Sequence, residues 1–229
     1  MTGTLYVVAT PIGNLSDISM RALETLRQVD AVLAEDTRVT KKLLAHYDIA
    51  VPVYRCDASI EHSDKVTQFA TDLSEGAEYA IVSDAGTPGV SDPGSRLVRL
   101  LQDDYRDVAI VPIPGASALT AALSVSGIED MPILFLGFPP HKKGRKTFFE
   151  KIRDAEYPVV LYESVHRFVK TIETLHEYVP TARVGVFREL TKLHEEIIHG
   201  TPQEILNHTA HNTDRIRGEY VIVIEQAET

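Results

Sequence analysis

A chain of 229 residues, 44% hydrophobic and 24% charged, has the length for two modest domains and the composition of an ordinary globular protein. Its single cysteine, Cys56, excludes an internal disulfide, and the net charge of −10 argues at first against a nucleic-acid partner. No apolar stretch approaches the roughly 18 residues that span a bilayer. The N-terminal MTGTLYVVATPIGNL also lacks the charged region of a signal peptide, so a cytoplasmic location is expected. The nine histidines show neither HxxxH nor HExxH spacing, and no metal is expected.

In chain order, β-rich apolar runs at Leu5–Ala9, Ala31–Ala34, Val51–Arg55, Tyr79–Ser83 and Val108–Ile113 predict strands. Between them, amphipathic patterns at Ile18–Val29, Arg38–Tyr47, Asp64–Ser74 and Ser95–Gln102 predict helices. Pro93 and Ser95 mark a helix start, and Gly76 a stop. This alternation predicts an α/β domain built on a mostly parallel, Rossmann-like, doubly wound sheet over residues 1–113. The Pro-rich turn PIPGAS (Pro112–Ser117) then opens a small-residue helix, Ala116–Val125, and marks the domain junction. A second α/β domain over residues 114–229 has predicted strands at Ile133–Phe138, Val159–Glu163, Arg183–Arg188, Glu196–His199 and Tyr220–Ile224. The last three have little predicted helix between them, which favours a mixed sheet with antiparallel pairs.

The most informative stretch is SDAGTPGVSDPG, Ser83–Gly94, where three glycines and two prolines fix a tight backbone at the carboxyl end of a strand. Open α/β sheets place ligands at such ends, and Asp84, Asp92, Thr87 and Ser91 add acceptors and hydroxyls. ATPIGNLSD (Ala9–Asp17) leaves the first strand as a polar turn, explained equally by an N-cap alone. EDTR (Glu35–Arg38) puts two carboxylates and a guanidinium at a second strand end, where an ion pair or cap is the competing reading. PGASA (Pro114–Ala118) offers small side chains and the Ser117 hydroxyl for close approach to a ligand. YESVHR (Tyr162–Arg167) groups Glu163, His166 and Arg167, while RELTKLHEE (Arg188–Glu196) and RGEY (Arg217–Tyr220) flank further strands. Between His141 and Arg153, six basic residues face only Glu150, a local balance of +5 that leaves −15 on the rest of the chain. Such a segment suits phosphate, or is a solvated loop.

Taken in order, VATPIGNLSD, AEDTR, SDAGTPGVSDPG, PIPGASA, FLGFPP, YESVHR, RELTKLHEE and RGEYVIVI resemble the tetrapyrrole methylase superfamily, the class III S-adenosylmethionine-dependent methyltransferases. TPIGNLSD at the first turn departs from the GxGPGD of the tetrapyrrole-acting relatives and favours the branch acting on ribosomal RNA. The resemblance implies two α/β domains with S-adenosylmethionine in the cleft between them, and a homodimer. It implies 2′-O-methylation of a cytidine ribose in the decoding region of 16S ribosomal RNA, in the small ribosomal subunit. Carried over by position, Pro11, Asp84, Ala85, Gly86, Thr87, Val90, Ser117, Ala118, Tyr162 and Gly218 would bind the donor. That family often continues past RGEYVIVI into a small helical region, which is expected to be absent from a chain stopping at Thr229.

Ribose methylation needs a proton acceptor, and the candidates are Asp36, Glu163, His166 and Glu189. Lys142, Lys143, Arg145, Lys146, Arg167 and Arg188 are the candidate phosphate contacts. Competing readings are a methylase of a tetrapyrrole or other small acceptor, and a non-catalytic protein that binds the donor or the ribosome. A dehydrogenase is disfavoured by the missing GxGxxG.

Overall fold

Runs of β-branched and small apolar residues at Thr4–Val8 (β1), Ala31–Ala34 (β2), Val53–Arg55 (β3), Glu78–Val82 (β4) and Ala109–Ile113 (β5) pair into one all-parallel sheet of order β3-β2-β4-β1-β5. The computed structural model describes residues 2–59, 63–92, 94–129, 132–211 and 218–226, so Pro93 and Arg217 lie outside the described residues. The chain divides into two units, Met1–Ser117 and Ala118–Thr229.

In the first unit the helices are Met20–Gln28 (α1), Thr37–His46 (α2), Asp64–Ser74 (α3) and Ser95–Asp104 (α4). Alternate residues along β1, β2 and β4 feed two cores, because these inner strands are covered on both faces. Leu5, Leu33 and Ile81 pack with Val66, Leu73, Leu97 and Leu101 of α3 and α4 on one face. Val8, Val32 and Ala80 pack with Ala22, Leu26 and Leu44 of α1 and α2 on the other. Each fully buried Leu, Ile or Val here contributes about 1.5–3 kcal/mol relative to an exposed one. Ser19 fixes where α1 begins: its Oγ accepts the Ala22 N–H at 3.1 Å. The connection after β1 runs to one side of the sheet and that after β4 to the other, although β1 and β4 are neighbours. Their carboxyl ends therefore flank a topological switch point, where such sheets leave a crevice.

The second unit holds Ala118–Ser124 (α5), Leu134–Gly137 (β6), Arg145–Arg153 (α6), Val159–Ser164 (β7), Phe168–Tyr178 (α7), Arg183–Arg188 (β8), Glu196–Gly200 (β9), Pro202–His211 (α8) and Glu219–Glu225 (β10). Its sheet runs β6-β7-β10-β8-β9, parallel at β6–β7 and antiparallel elsewhere. The mixed sheet is thus as expected. The expected scarcity of helix between the late strands is corrected by α8, which stands between β9 and β10 and buries Pro202, Ile205 and Thr209. Its start is a reciprocal cap: Glu204 N donates to Thr201 Oγ1 at 3.3 Å and Thr201 N to Glu204 Oε2 at 2.7 Å. The helix expected from Ala116 is also shorter: β5 ends at Ile113, residues 114–117 form no helix, and α5 has seven residues.

Candidate functional site

At the β1/β4 switch point the loops of the first unit are tied together by backbone. Thr10 and Gly86 exchange both hydrogen bonds, N to O at 2.9 and 3.1 Å, and Thr10 Oγ1 donates to Ser83 O at 3.3 Å. Thr87 Oγ1 donates to Ala116 O at 3.1 Å, joining the loop after β4 to the segment after β5. Asp84 Oδ1 accepts the Asp36 N–H at 3.0 Å, joining it to the loop after β2. Pro11, Asp84, Ala85, Gly86, Thr87 and Ser117 are therefore gathered on one framework, with Val90 further along the same loop.

Backbone shape explains the residue choice. Gly86 (φ +85°) and Gly89 (φ +82°) occupy the left-handed region that side chains disfavour, and Ser91 (φ +69°) shares it without that excuse. A Cβ on Gly86 would sit 3.2 Å from Ile12 Cγ2, whereas one on Gly89 would meet nothing. Gly86 serves close packing; Gly89 leaves an open backbone that a ligand can approach.

An open polar depression of about 460 Å³ lies at the carboxyl ends of β2 and β3, lined by Glu35 to Arg38, Arg55, Asp57 and Ala58. Two adjacent carboxylates differ sharply here. Arg38 donates to Asp36 at 2.6 Å and, with its backbone amide, holds that carboxyl down at about 2. Glu35 goes the other way: burial first, then the Asp84 charge, pushes its carboxyl above the usual range. Asp57 pairs with Arg55 across the same depression. Sequence reading named Asp36 among four candidate bases, with Glu163, His166 and Glu189, and passed over Glu35. Adjacent carboxylates look alike until the fold sets one beside Asp84 and pairs the other with Arg38.

In the second unit Tyr162 lies on β7, its hydroxyl accepting the Leu119 N–H at 3.2 Å beside Ala118, with Phe135 and Phe138 edge-on to its ring. Glu163, with a fully buried side chain, pairs with Arg167 at 2.7 Å. His166 is exposed in the turn before α7. Glu189 (φ +50°) lies over Gly218 (φ +93°), where a Cβ would come within 2.2 Å of the Glu189 carboxyl. Burial opposes the charge on Glu189, yet the Lys192 hydrogen bond at 2.8 Å and the Glu219 amide hold its carboxyl below the usual range. Among the candidate phosphate contacts, Lys142, Lys143 and Lys146 are exposed, and Lys146 also approaches Glu150 at 3.7 Å. Arg188 is buried against Glu196 at 3.1 Å, and Arg145 reaches Thr171 at 3.1 Å with its guanidinium over Phe149. Most predicted site residues thus fall into the switch-point framework, a buried Glu163–arginine cluster, the Glu189–Gly218 contact and exposed lysines on the loop and first turn of α6. Asp36 instead lines the depression, Tyr162 meets the start of α5, Arg188 pairs with Glu196 and His166 stands in the open.

S-adenosylmethionine presents an ammonium, a sulfonium and ribose hydroxyls, which want acceptors and open backbone. The switch-point loop offers the exposed Asp84 carboxylate and the uncrowded backbone at Gly89, and so fits that group. The profile of the Tetrapyrrole (Corrin/Porphyrin) Methylases matches residues 4–206. The chain is 45% identical over 229 residues to "Ribosomal RNA small subunit methyltransferase I" of Leptospira biflexa serovar Patoc, covering 97% of this chain and 90% of the relative. It is 43% identical to the protein of the same name from Neisseria meningitidis serogroup B, covering 99% and 77%. In fold it resembles the crystal structure of the methyltransferase CobJ, with TM-score 0.71 at 18% identity over 99% of this chain and 95% of that one. Two α/β sheets, a glycine-kinked loop at the parallel sheet's switch point and relatives matched nearly end to end make this chain a member of the tetrapyrrole methylase family, alongside the ribosomal RNA small subunit methyltransferases I.

Proposed function

We propose that the protein is an S-adenosylmethionine-dependent ribosomal RNA methyltransferase, and that it methylates the 2′-hydroxyl of a cytidine ribose in the decoding region of 16S ribosomal RNA. The observation that carries this reading is the near full-length identity to relatives of that name. In the same reading the acceptor is presented in the small ribosomal subunit, and the protein acts as a cytoplasmic homodimer.

S-adenosylmethionine supplies a methyl group already activated on a positively charged sulfur. The task left to the protein is to orient, to exclude water and to move one proton. Asp84 and the backbone of Ala85 to Thr87 receive the donor's polar groups, with Pro11, Val90, Ser117, Ala118, Tyr162 and Gly218 assigned to the same role by resemblance. S-adenosylmethionine would give its methyl to the ribose oxygen and leave as the neutral thioether, so the part left to the chain is to hold a carboxylate that takes the hydroxyl proton. Glu35 is assigned this role because it lines the open depression at the ends of β2 and β3, where partial burial and the Asp84 charge raise its proton affinity. Asp36, held at about 2, is a far weaker acceptor. Lys142, Lys143 and Lys146 meet backbone phosphates, giving affinity without sequence information.

The decisive assay incubates the protein with methyl-labelled S-adenosylmethionine and small ribosomal subunits from cells lacking the activity. Label on a ribose of 16S RNA is the expected result. Label on a small acceptor alone, or none, overturns the reading.

A further inference from the structure

The loop joining β6 to α6, Phe138 to Gly144, carries Lys142 and Lys143 but opens with Pro139 and Pro140, which have no N–H to donate. Anchoring at that point must come through their carbonyl oxygens. Arg167 Nη1 donates to Pro139 O at 2.6 Å, and Arg145 Nη1 donates to Pro140 O at 3.3 Å. Both arginines lead back to one carboxylate. Arg167 Nη2 meets Glu163 Oε1 at 2.7 Å, while Arg145 Nη2 donates to Thr171 Oγ1 at 3.1 Å, which in turn donates to Glu163 Oε2 at 2.6 Å. The Ser164 N–H also donates to Oε1, at 2.8 Å, so each Glu163 oxygen is engaged and its side chain is fully buried.

We infer that Glu163 is a positioning residue for the RNA-binding loop rather than the acceptor of the ribose proton. It pins two arginines, which hold two successive carbonyls, so that Lys142 and Lys143 stand on a fixed platform. The cluster sets two guanidinium groups against one carboxylate, and the spare positive charge sits at the carbonyls of the segment that carries the lysines. Arg145 and Arg167, read from sequence as phosphate contacts, act from beneath the loop. This inference rests on the RNA-methylating reading above.

The test compares wild type with Glu163→Gln, which keeps the shape but removes the charge, and with Arg167→Lys, which keeps the charge but not the fork. Two readouts are taken: steady-state methylation of small subunits, and amide hydrogen exchange over residues 141–146. Either variant should raise KM for the RNA substrate about tenfold, with kcat at saturating RNA held within about threefold. Exchange over 141–146 should accelerate while that over β7 and β10 does not. Should Glu163→Gln fail to fold, Arg167→Lys carries both readouts. A collapse of kcat in Glu163→Gln with KM retained would mean that Glu163 acts on the reacting group, and the inference falls; unchanged exchange over 141–146 also sinks it. If the wild-type chain methylates no ribosomal RNA, the functional reading fails, and the exchange data still decide whether the tether exists.

Discussion

Glu35 and Asp36 are neighbours in sequence with opposite fates, and that contrast makes the proton acceptor testable. Glu35 can take a proton only when ionised, so the rate falls as pH drops through its pKa. Because burial and the Asp84 charge raise that value, the acid limb of a single-turnover pH profile should lie above the ordinary glutamate value of 4.5. Glu35→Gln should slow single-turnover transfer by about 10²-fold or more and abolish that limb, leaving donor affinity unchanged. A rate equal to wild type would remove Glu35 from the mechanism. Asp36→Asn should matter less to the chemistry, since Arg38 already holds its carboxyl at about 2. Sequence reading singled out EDTR but could not separate its two carboxylates. What separates them is the Arg38 hydrogen bond to Asp36 on one side, and on the other the partial burial of Glu35 with the charge of Asp84, which is 48 positions beyond Asp36.

At the scale of elements, the inner strands were readable because their β-branched and small apolar runs are buried on both faces, as AVLA of β2 is throughout. The edge strands β3, β5, β6 and β9 are partly exposed. Ends shifted by a residue or two where caps decide, as Ser19 does for α1. The helix α8 was overlooked because its buried stripe is narrow, although TPQE (Thr201–Glu204) carries the capping-box signal that could have found it. The lysine loop was legible as charge but not as support, because the arginines' partners, Pro139, Thr171 and Glu163, come from three separate segments. The turn into β10 gives a stability prediction of its own. Gly218→Ala meets both a left-handed φ of +93° and the Glu189 carboxyl, and should cost about 1–3 kcal/mol, read as a lower urea midpoint. Adding Glu189→Ala should recover only the part due to overlap. A midpoint equal to wild type would show that the turn relaxes without loss.

For the whole molecule, the acidic balance outside residues 141–153 makes RNA affinity a contest between a short attractive patch and long-range repulsion. Affinity should therefore fall steeply with salt. Replacing Lys142 and Lys143 by alanine should flatten the slope of log K against log salt by about 0.7–0.9 per lysine, equally for unrelated RNA sequences. A slope that does not change would place the phosphate contacts elsewhere. The strand orders have a further consequence, which concerns colloidal behaviour. The rim of a sheet is a template on which another chain can build. Here β3 is only three residues long, β5 carries Pro112 in its span, and β6 is irregular at Phe135–Gly137 and runs on into Pro139 and Pro140. Among the described residues, three of the four rims are thus poor templates, and the prolines that follow β6 disfavour the pairing of a further strand along that edge.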